Sequence, residues 1–235
     1  MESMPFYPFL HQAQLANTVT GFATCMAGIM PLLYTLLTRS QPKRWVFVYL
    51  CIFITGVPTV WFHAFEQSKM LAALDTSSNI LLAWAWQMAI LGDFAKPAFR
   101  RAFVTVSTIV NLIACGYQVY EATQPGPIPM FLVIGDAVNF KAGELALITN
   151  SIITLLFYFR YLGRIERHAR PLLYLIVFMF IVGAILAGPT NDTVAFRFMA
   201  WHALWHIWGA FALTTLWIFN FVRFYTPPPT KTETA

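Results

Sequence analysis

The chain has 235 residues, of which 58% are hydrophobic and only 11% charged, with a formal charge of +5 at pH 7. A soluble domain carries roughly 25% charged residues, so this composition excludes an ordinary water-soluble fold and reads as an integral membrane protein. The basic residues come in short clusters between apolar runs, which suits loops facing a cytoplasmic surface; no nucleic-acid partner is expected.

A helix needs about 20 apolar residues to cross a bilayer. Seven runs qualify, at 17–38, 45–64, 71–92, 102–121, 143–162, 171–188 and 197–222. The expected fold class is therefore an all-α integral membrane protein with seven transmembrane helices. A short non-cytoplasmic segment (1–16) precedes the helical domain (17–222), and a polar, disordered cytoplasmic tail (223–235) follows it. The first sixteen residues lack Lys and Arg, so no cleaved signal peptide with a basic start is expected and the first span stays in the mature protein. Pro42, Pro97 and Pro189 fall between runs and Pro171 stands at the start of one, as helix punctuation. Pro31 and Pro58 lie inside runs, where neighbouring helices can satisfy the freed carbonyls. Cys25, Cys51 and Cys115 stand alone in apolar surroundings and read as small buried hydrophobes.

Orientation follows from the basic residues. Twelve of the fifteen lie on one side: Arg39, Lys43 and Arg44; Lys96, Arg100 and Arg101; Arg160, Arg164, Arg167 and Arg170; Arg223 and Lys231. Only Lys69, Lys141 and Arg197 lie on the other. The positive-inside rule then puts the N-terminus outside or in the lumen and the C-terminus in the cytoplasm.

The chemistry concentrates in the last run, at Trp201-His202-Ala203-Leu204-Trp205-His206. Two histidines four apart on a helix are offset by roughly 40° in rotation and about 6 Å along the axis. Both imidazoles face the same way and can reach one metal ion. The plainer reading, in which each hydrogen-bonds a neighbouring helix, is weakened because intramembrane ionisable groups are usually functional. With the orientation above, the second run ends outside at His63, and the third carries Asp75 near its outer start. His202 and His206 lie one to two turns below the same surface, with Asn17, Thr18 and Thr20 of the first run nearby. His11 and His168 lie in the N-terminal segment and a basic loop and carry little weight. His63, His202 and His206 thus make a three-imidazole set. Three protein ligands with a fourth position open is the arrangement of catalytic zinc, which activates a water and polarises a carbonyl. Asp75 can take a proton from that water or orient a ligand, unless it is only a helix-start carboxylate. Thr59, one turn before His63 on the same face, is either a donor to a developing oxyanion or an ordinary buried hydroxyl.

Thr59-Val60-Trp61-Phe62-His63, Leu74-Asp75 and His202-Ala203-Leu204-Trp205-His206 resemble the three motifs of the alkaline ceramidase family. That family belongs to a superfamily of seven-span membrane hydrolases that includes the adiponectin-receptor-like proteins. Asn17-Thr18-Val19-Thr20 is similar to its first-span pattern. The resemblance implies His63, His202 and His206 as zinc ligands, Asp75 as the acid–base group, and Thr59 at a position where the family usually has Ser. It implies hydrolysis of the amide of a ceramide-like membrane lipid to sphingoid base and fatty acid. Three features depart from the pattern. The His63-to-Asp75 spacing is about one residue longer than the family's, and Asp75 is followed by Thr76-Ser77-Ser78 without a proline. The segment Pro8-Phe9-Leu10-His11-Gln12-Ala13-Gln14 has no carboxylate, with Gln14 where calcium-binding relatives carry Glu. A hard cation prefers several anionic oxygens, so no calcium site is expected.

Two other classes stay open. One is a b-type haem protein with His63 opposite His202 or His206. The other is a non-catalytic receptor or scaffold with structural zinc, although structural sites usually have four protein ligands. A retinal protein is excluded because the seventh run has no Lys for a Schiff base. The expected location is a bacterial inner membrane or a eukaryotic ER or Golgi membrane. The sequence leaves the oligomeric state open.

Overall fold

The structure, a computed structural model, describes the backbone of residues 7–65, 68–134, 138–186, 194–196 and 199–224. Side chains are described for 14–65, 68–133, 140–183, 185 and 201–224. The polar tail from 225, Pro189, Arg197 and the side chains of residues 8–13, His11 among them, lie outside these residues.

Seven α-helices dominate: α1 (Tyr7–Thr38), α2 (Lys43–Ala64), α3 (Lys69–Phe94), α4 (Pro97–Thr123), α5 (Ala142–Tyr161), α6 (Arg170–Leu186) and α7 (Trp201–Phe224). Their limits match the seven apolar runs to within a few residues, except that α1 begins ten residues before its run. Residues 7–16, expected as a leading segment, are therefore helical. The ends follow local chemistry. Ser68 caps α3 by accepting from the Leu71 N–H at 3.1 Å. Pro97 opens α4, where its missing N–H costs nothing. The Glu144 carboxylate accepts from the Lys141 N–H at 2.9 Å to start α5. Two short antiparallel hairpins, β1–β2 (Leu132–Ile134 with Val138–Phe140) and β3–β4 (Val194–Phe196 with Met199–Ala200), lie in the connections before α5 and α7. The apolar periodicity gave no sign of them.

Among the described residues, five helices, α1 from Gln14, α2, α4, α5 and α7, are long and apolar enough to cross a membrane. α6 is apolar but shorter, and α3 is diluted by Asp75, Thr76, Ser77, Ser78, Asn79, Gln87 and Asp93. The polar content of α3 has a packing reason: it lies against α2, α4 and α5, so its polar groups meet protein. α4 is the opposite case. Val106, Ile109, Val110, Leu112 and Ile113 are all exposed along it, an apolar band too continuous for a water-facing surface.

α1 packs on α2 and α7, and α6 on α7. The α1–α2 approach depends on glycines, as close-packed membrane helices generally do. A Cβ on Gly28 would collide with the Phe53 backbone, and one on Gly56 with Cys25. Lower in the bundle, Trp45, Tyr49, Leu91, Ile165, Leu173 and Phe219 close the apolar core. An amide network ties α3, α4 and α5 at mid-height. Gln87 Nε2 donates to Asn150 O (2.8 Å) and Oδ1 (3.1 Å), and Asn150 exchanges hydrogen bonds with Asn111.

Candidate metal centre

α2 ends at the level where α3 and α7 begin, so the last turn of one helix meets the first turns of two others. Thr55, Thr59 and His63 recur every fourth residue along one face of α2. Thr55 Oγ1 donates to Ser78 O of α3 at 3.0 Å and Thr59 Oγ1 to the Asp75 carboxylate at 2.5 Å. These contacts fix the rotation of α2, which carries His63 to the top of the same face.

His63, His202 and His206 converge. One ligand atom from each lies within 4.8 Å of the others. His63 Nε2 and His202 Nε2 are 3.0 Å apart, and the ring centroids are separated by 4.8, 5.1 and 4.6 Å. Zinc–imidazole bonds of about 2.0–2.1 Å at tetrahedral angles place ligand nitrogens roughly 3.3 Å apart; the His63–His202 pair is near that spacing, and the set as a whole is bounded by 4.8 Å. His63 and His206 are buried and His202 partly so.

The outward-facing ring atoms decide what the inward ones offer. His63 Nδ1 lies 2.8 Å from Gln14 Oε1, an acceptor, so this nitrogen carries the proton. His206 Nδ1 lies 3.1 Å from Asn17 O and 3.2 Å from Thr20 Oγ1. The Thr20 hydroxyl hydrogen is directed at Ala16 O (2.8 Å), so His206 Nδ1 is again the donor. Each ring therefore has an unprotonated Nε2, and that of His63 meets His202 Nε2 at 3.0 Å. A neutral imidazole nitrogen without its proton is the form that binds a metal ion. Oxygen acceptors on the far nitrogen are also what metal-binding histidines use to set tautomer and ring plane. The residues present fit a small metal ion held by nitrogen.

Beside the trio is a cavity of about 400 Å³ reached by α1, α2, α3, α4, α5 and α7. Asp75, His63 and His202 share its wall, together with Gln14, Asn17 and Gln118. Asp75 is not one of the clustered ligands. It stands across the cavity with Thr59 on one oxygen, so the Thr59 hydroxyl is directed at the carboxylate. Two buried polar atoms of this wall, Asn17 Oδ1 and Gln118 Nε2, have no hydrogen-bond partner. Burying such groups unpaired is unfavourable by about 1–3 kcal/mol each.

The sequence pointed to the three histidines, Asp75 and Thr59, and the structure brings all five to one end of the bundle. His168 lies apart, on the basic loop, with Nε2 3.4 Å from Val222 O. Gln14, Asn17 and Thr20 as imidazole partners, and Gln118 as a cavity residue, were missed as site residues. Asn17 and Thr20 had a signal in their depth, but none marked which ring they serve. No family model matches the chain, and no curated protein matches it either.

Proposed function

We propose that this chain is a zinc-dependent intramembrane hydrolase of lipid amides, related to the alkaline ceramidases, with ceramide or a close analogue as substrate. In this reading it crosses the membrane seven times, with the histidine end outside or lumenal and the basic end cytoplasmic. α3 crosses sheltered by its neighbours, and α6 crosses as the shortest of the seven. The observation that carries the proposal is the convergence of three imidazoles, two with the outer nitrogen on an oxygen acceptor, beside a cavity walled by a carboxylate.

His63, His202 and His206 hold the metal. Zinc, when bound, activates a water and polarises the substrate carbonyl. Asp75, on the cavity wall, would take up the proton given up by the attacking water and return one to the leaving amine. Thr59 keeps the carboxylate turned to the cavity. Gln14, Asn17 and Gln118 give the cavity wall polar residues suited to the hydroxyl or amide groups of a polar lipid head. A cavity at this depth, with apolar helix faces around it, favours a substrate arriving sideways from the bilayer. The haem alternative fits less well: a macrocycle between axial ligands needs a slot, and here three rings close on one point. A small ion is the better occupant.

The test is the metal content and turnover of the detergent-purified chain. One zinc per chain and release of fatty acid from ceramide are expected, with Asp75→Asn keeping the metal and losing turnover. Metal-free wild-type protein would end the reading. Cleavage of simple esters with ceramide left intact would keep the hydrolase and discard the amide.

A further inference from the structure

At the other end of the bundle, a cleft of about 550 Å³ opens where the end of α3, the start of α4 and the end of α5 meet. Its walls are apolar: Phe99, Leu156 and Phe157, with Tyr161 at the base. Its rim is cationic, with Lys96, Arg160 and Arg164 all lining it. Arg160 and Arg164 flank the Tyr161 ring at 5.8 and 5.7 Å from its centroid, and Arg164 Nη1 donates to Phe94 O at 2.6 Å.

None of the three cations forms an ion pair among the described residues. The two carboxylates near these cations in the chain are held elsewhere: Asp93 by Arg44, Arg223 and Trp45, and Glu166 by Arg223. α4 also begins here, at Pro97, so its first-turn N–H groups add positive potential at the same rim. Isolated Lys and Arg at helix ends commonly stretch toward headgroups. These three instead share one cleft with an acyl-sized apolar slot beneath them. The slot runs into the seam between α4 and α5, and α4 packs more closely on α3 than on α5. Phe99 and Leu156 are more than half-exposed or close to it, at 50% and 57%, which leaves apolar surface for a chain to cover.

We infer that this cleft is a binding site for one anionic phospholipid, its phosphate held by Lys96, Arg160 and Arg164 and an acyl chain lying between α4 and α5. Basic pockets between helices on the cytoplasmic side are suited to such headgroups. The inference rests on the membrane placement proposed above and is independent of the metal centre, which lies at the opposite ends of α3 and α5.

The experiment uses the full chain in neutral detergent, offered equal phosphatidylglycerol and phosphatidylcholine and read by native mass spectrometry. Wild type is expected to retain one phosphatidylglycerol in preference. Arg160→Gln should weaken that preference about fivefold, in line with roughly 1 kcal/mol per basic residue near a charged headgroup. The triple change Lys96→Gln, Arg160→Gln and Arg164→Gln should abolish it. Arg167→Gln, an exposed loop cation outside the cleft, should leave it unchanged. Leu156→Trp, which fills the slot without touching charge, should lower retention as well and serves if the triple variant does not fold. Equal retention of the two lipids by wild type, or loss with Arg167→Gln as large as with Arg160→Gln, would overturn the site. Displacement of the lipid by millimolar inorganic phosphate would also overturn it, by showing that the apolar slot adds nothing. Zinc content and ceramide turnover, measured on the same samples, separate failure here from failure of the metal reading.

Discussion

The two ends of this bundle handle buried polar groups in opposite ways. Arg223 and Asp93 are both only 3% exposed in their side chains, and they are fully answered. Asp93 receives Arg44, Arg223 (3.0 Å) and Trp45 Nε1 (3.1 Å). Arg223 also reaches Glu166 at 3.2 Å and Asn220 Oδ1 at 3.1 Å. Asn220 continues the network to Tyr49, and Tyr49 donates to Gln41. Roughly 28 Å away along α2, from Arg44 to His63 at 1.5 Å per residue, three imidazoles meet with no carboxylate among their ligand atoms. One end pairs its buried charges and joins α2, α3, α7 and the loop before α6. At the other, oxygen acceptors meet the outer nitrogens of His63 and His206, and His63 Nε2 meets His202 Nε2 at 3.0 Å. Paired charge marks a structural joint, whereas clustered imidazoles without a carboxylate are an arrangement that could hold a metal ion.

The largest effects should come from breaking the histidine end. His63→Ala, His202→Ala and His206→Ala should each remove the metal, since two imidazoles do not hold a catalytic ion firmly. Elemental analysis of purified protein is the check, and thermal unfolding should show the fold surviving. Zinc unchanged by all three substitutions would mean that the cluster is not the metal site.

Asp93→Ala tests the charge-paired end and should reverse this pattern. It leaves Arg223 buried with only the half-exposed Glu166 to pair with, and removing one partner of a buried pair typically costs about 3–5 kcal/mol. Glu166 keeps the expected loss near the low value, about 3 kcal/mol. The folded fraction should still carry its full complement of metal. Loss of metal in step with stability would show that the two ends are not separable.

How much of this contrast was legible in the sequence depends on the range of the interaction. The helices were readable because apolar runs of membrane-crossing length are a local signal. The His202/His206 pair was readable because four-residue spacing fixes a shared face. His63 and Asp75 required one further step, that alternating helices bring the end of the second run beside the start of the third. Beyond that, the information is in packing. Gln14 was noted only as a missing Glu, yet it orients His63 from 49 residues away. The Asp93–Arg223 joint spans 130 positions, and nothing around either residue names the other. The hairpins before α5 and α7 are too short for periodicity to register.

Gln14→Ala sharpens the comparison on the histidine side. It removes the acceptor that keeps the proton on His63 Nδ1, and loss of such a partner typically lowers metal affinity about 10- to 100-fold. Thr20→Val should do less, because His206 Nδ1 still has Asn17 O at 3.1 Å. Competition with a graded series of zinc chelators orders the two. A Thr20 effect as large as that of Gln14 would contradict the assignment of Asn17 O as the main partner of His206.

Between the ends, the amide network of Gln87, Asn111 and Asn150 is a third case, uncharged and redundant around Asn150. Asn111→Leu removes two hydrogen bonds to Asn150 (2.9 and 3.3 Å). Each polar end of Asn150 nevertheless keeps another partner: Nδ2 donates to Ala146 O at 2.9 Å, and Oδ1 accepts from Gln87 at 3.1 Å. Nothing is left buried and unpaired on Asn150, so the expected loss is that of ordinary interhelical hydrogen bonding in a membrane, about 0.6 kcal/mol. That is several times smaller than for Asp93→Ala, although the two sites are comparably buried. Unfolding in mixed detergent micelles, with both variants compared against the wild type, reads the difference directly. A loss from Asn111→Leu equal to that from Asp93→Ala would mean that burial alone sets the cost, and that the remaining partners of Asn150 count for little.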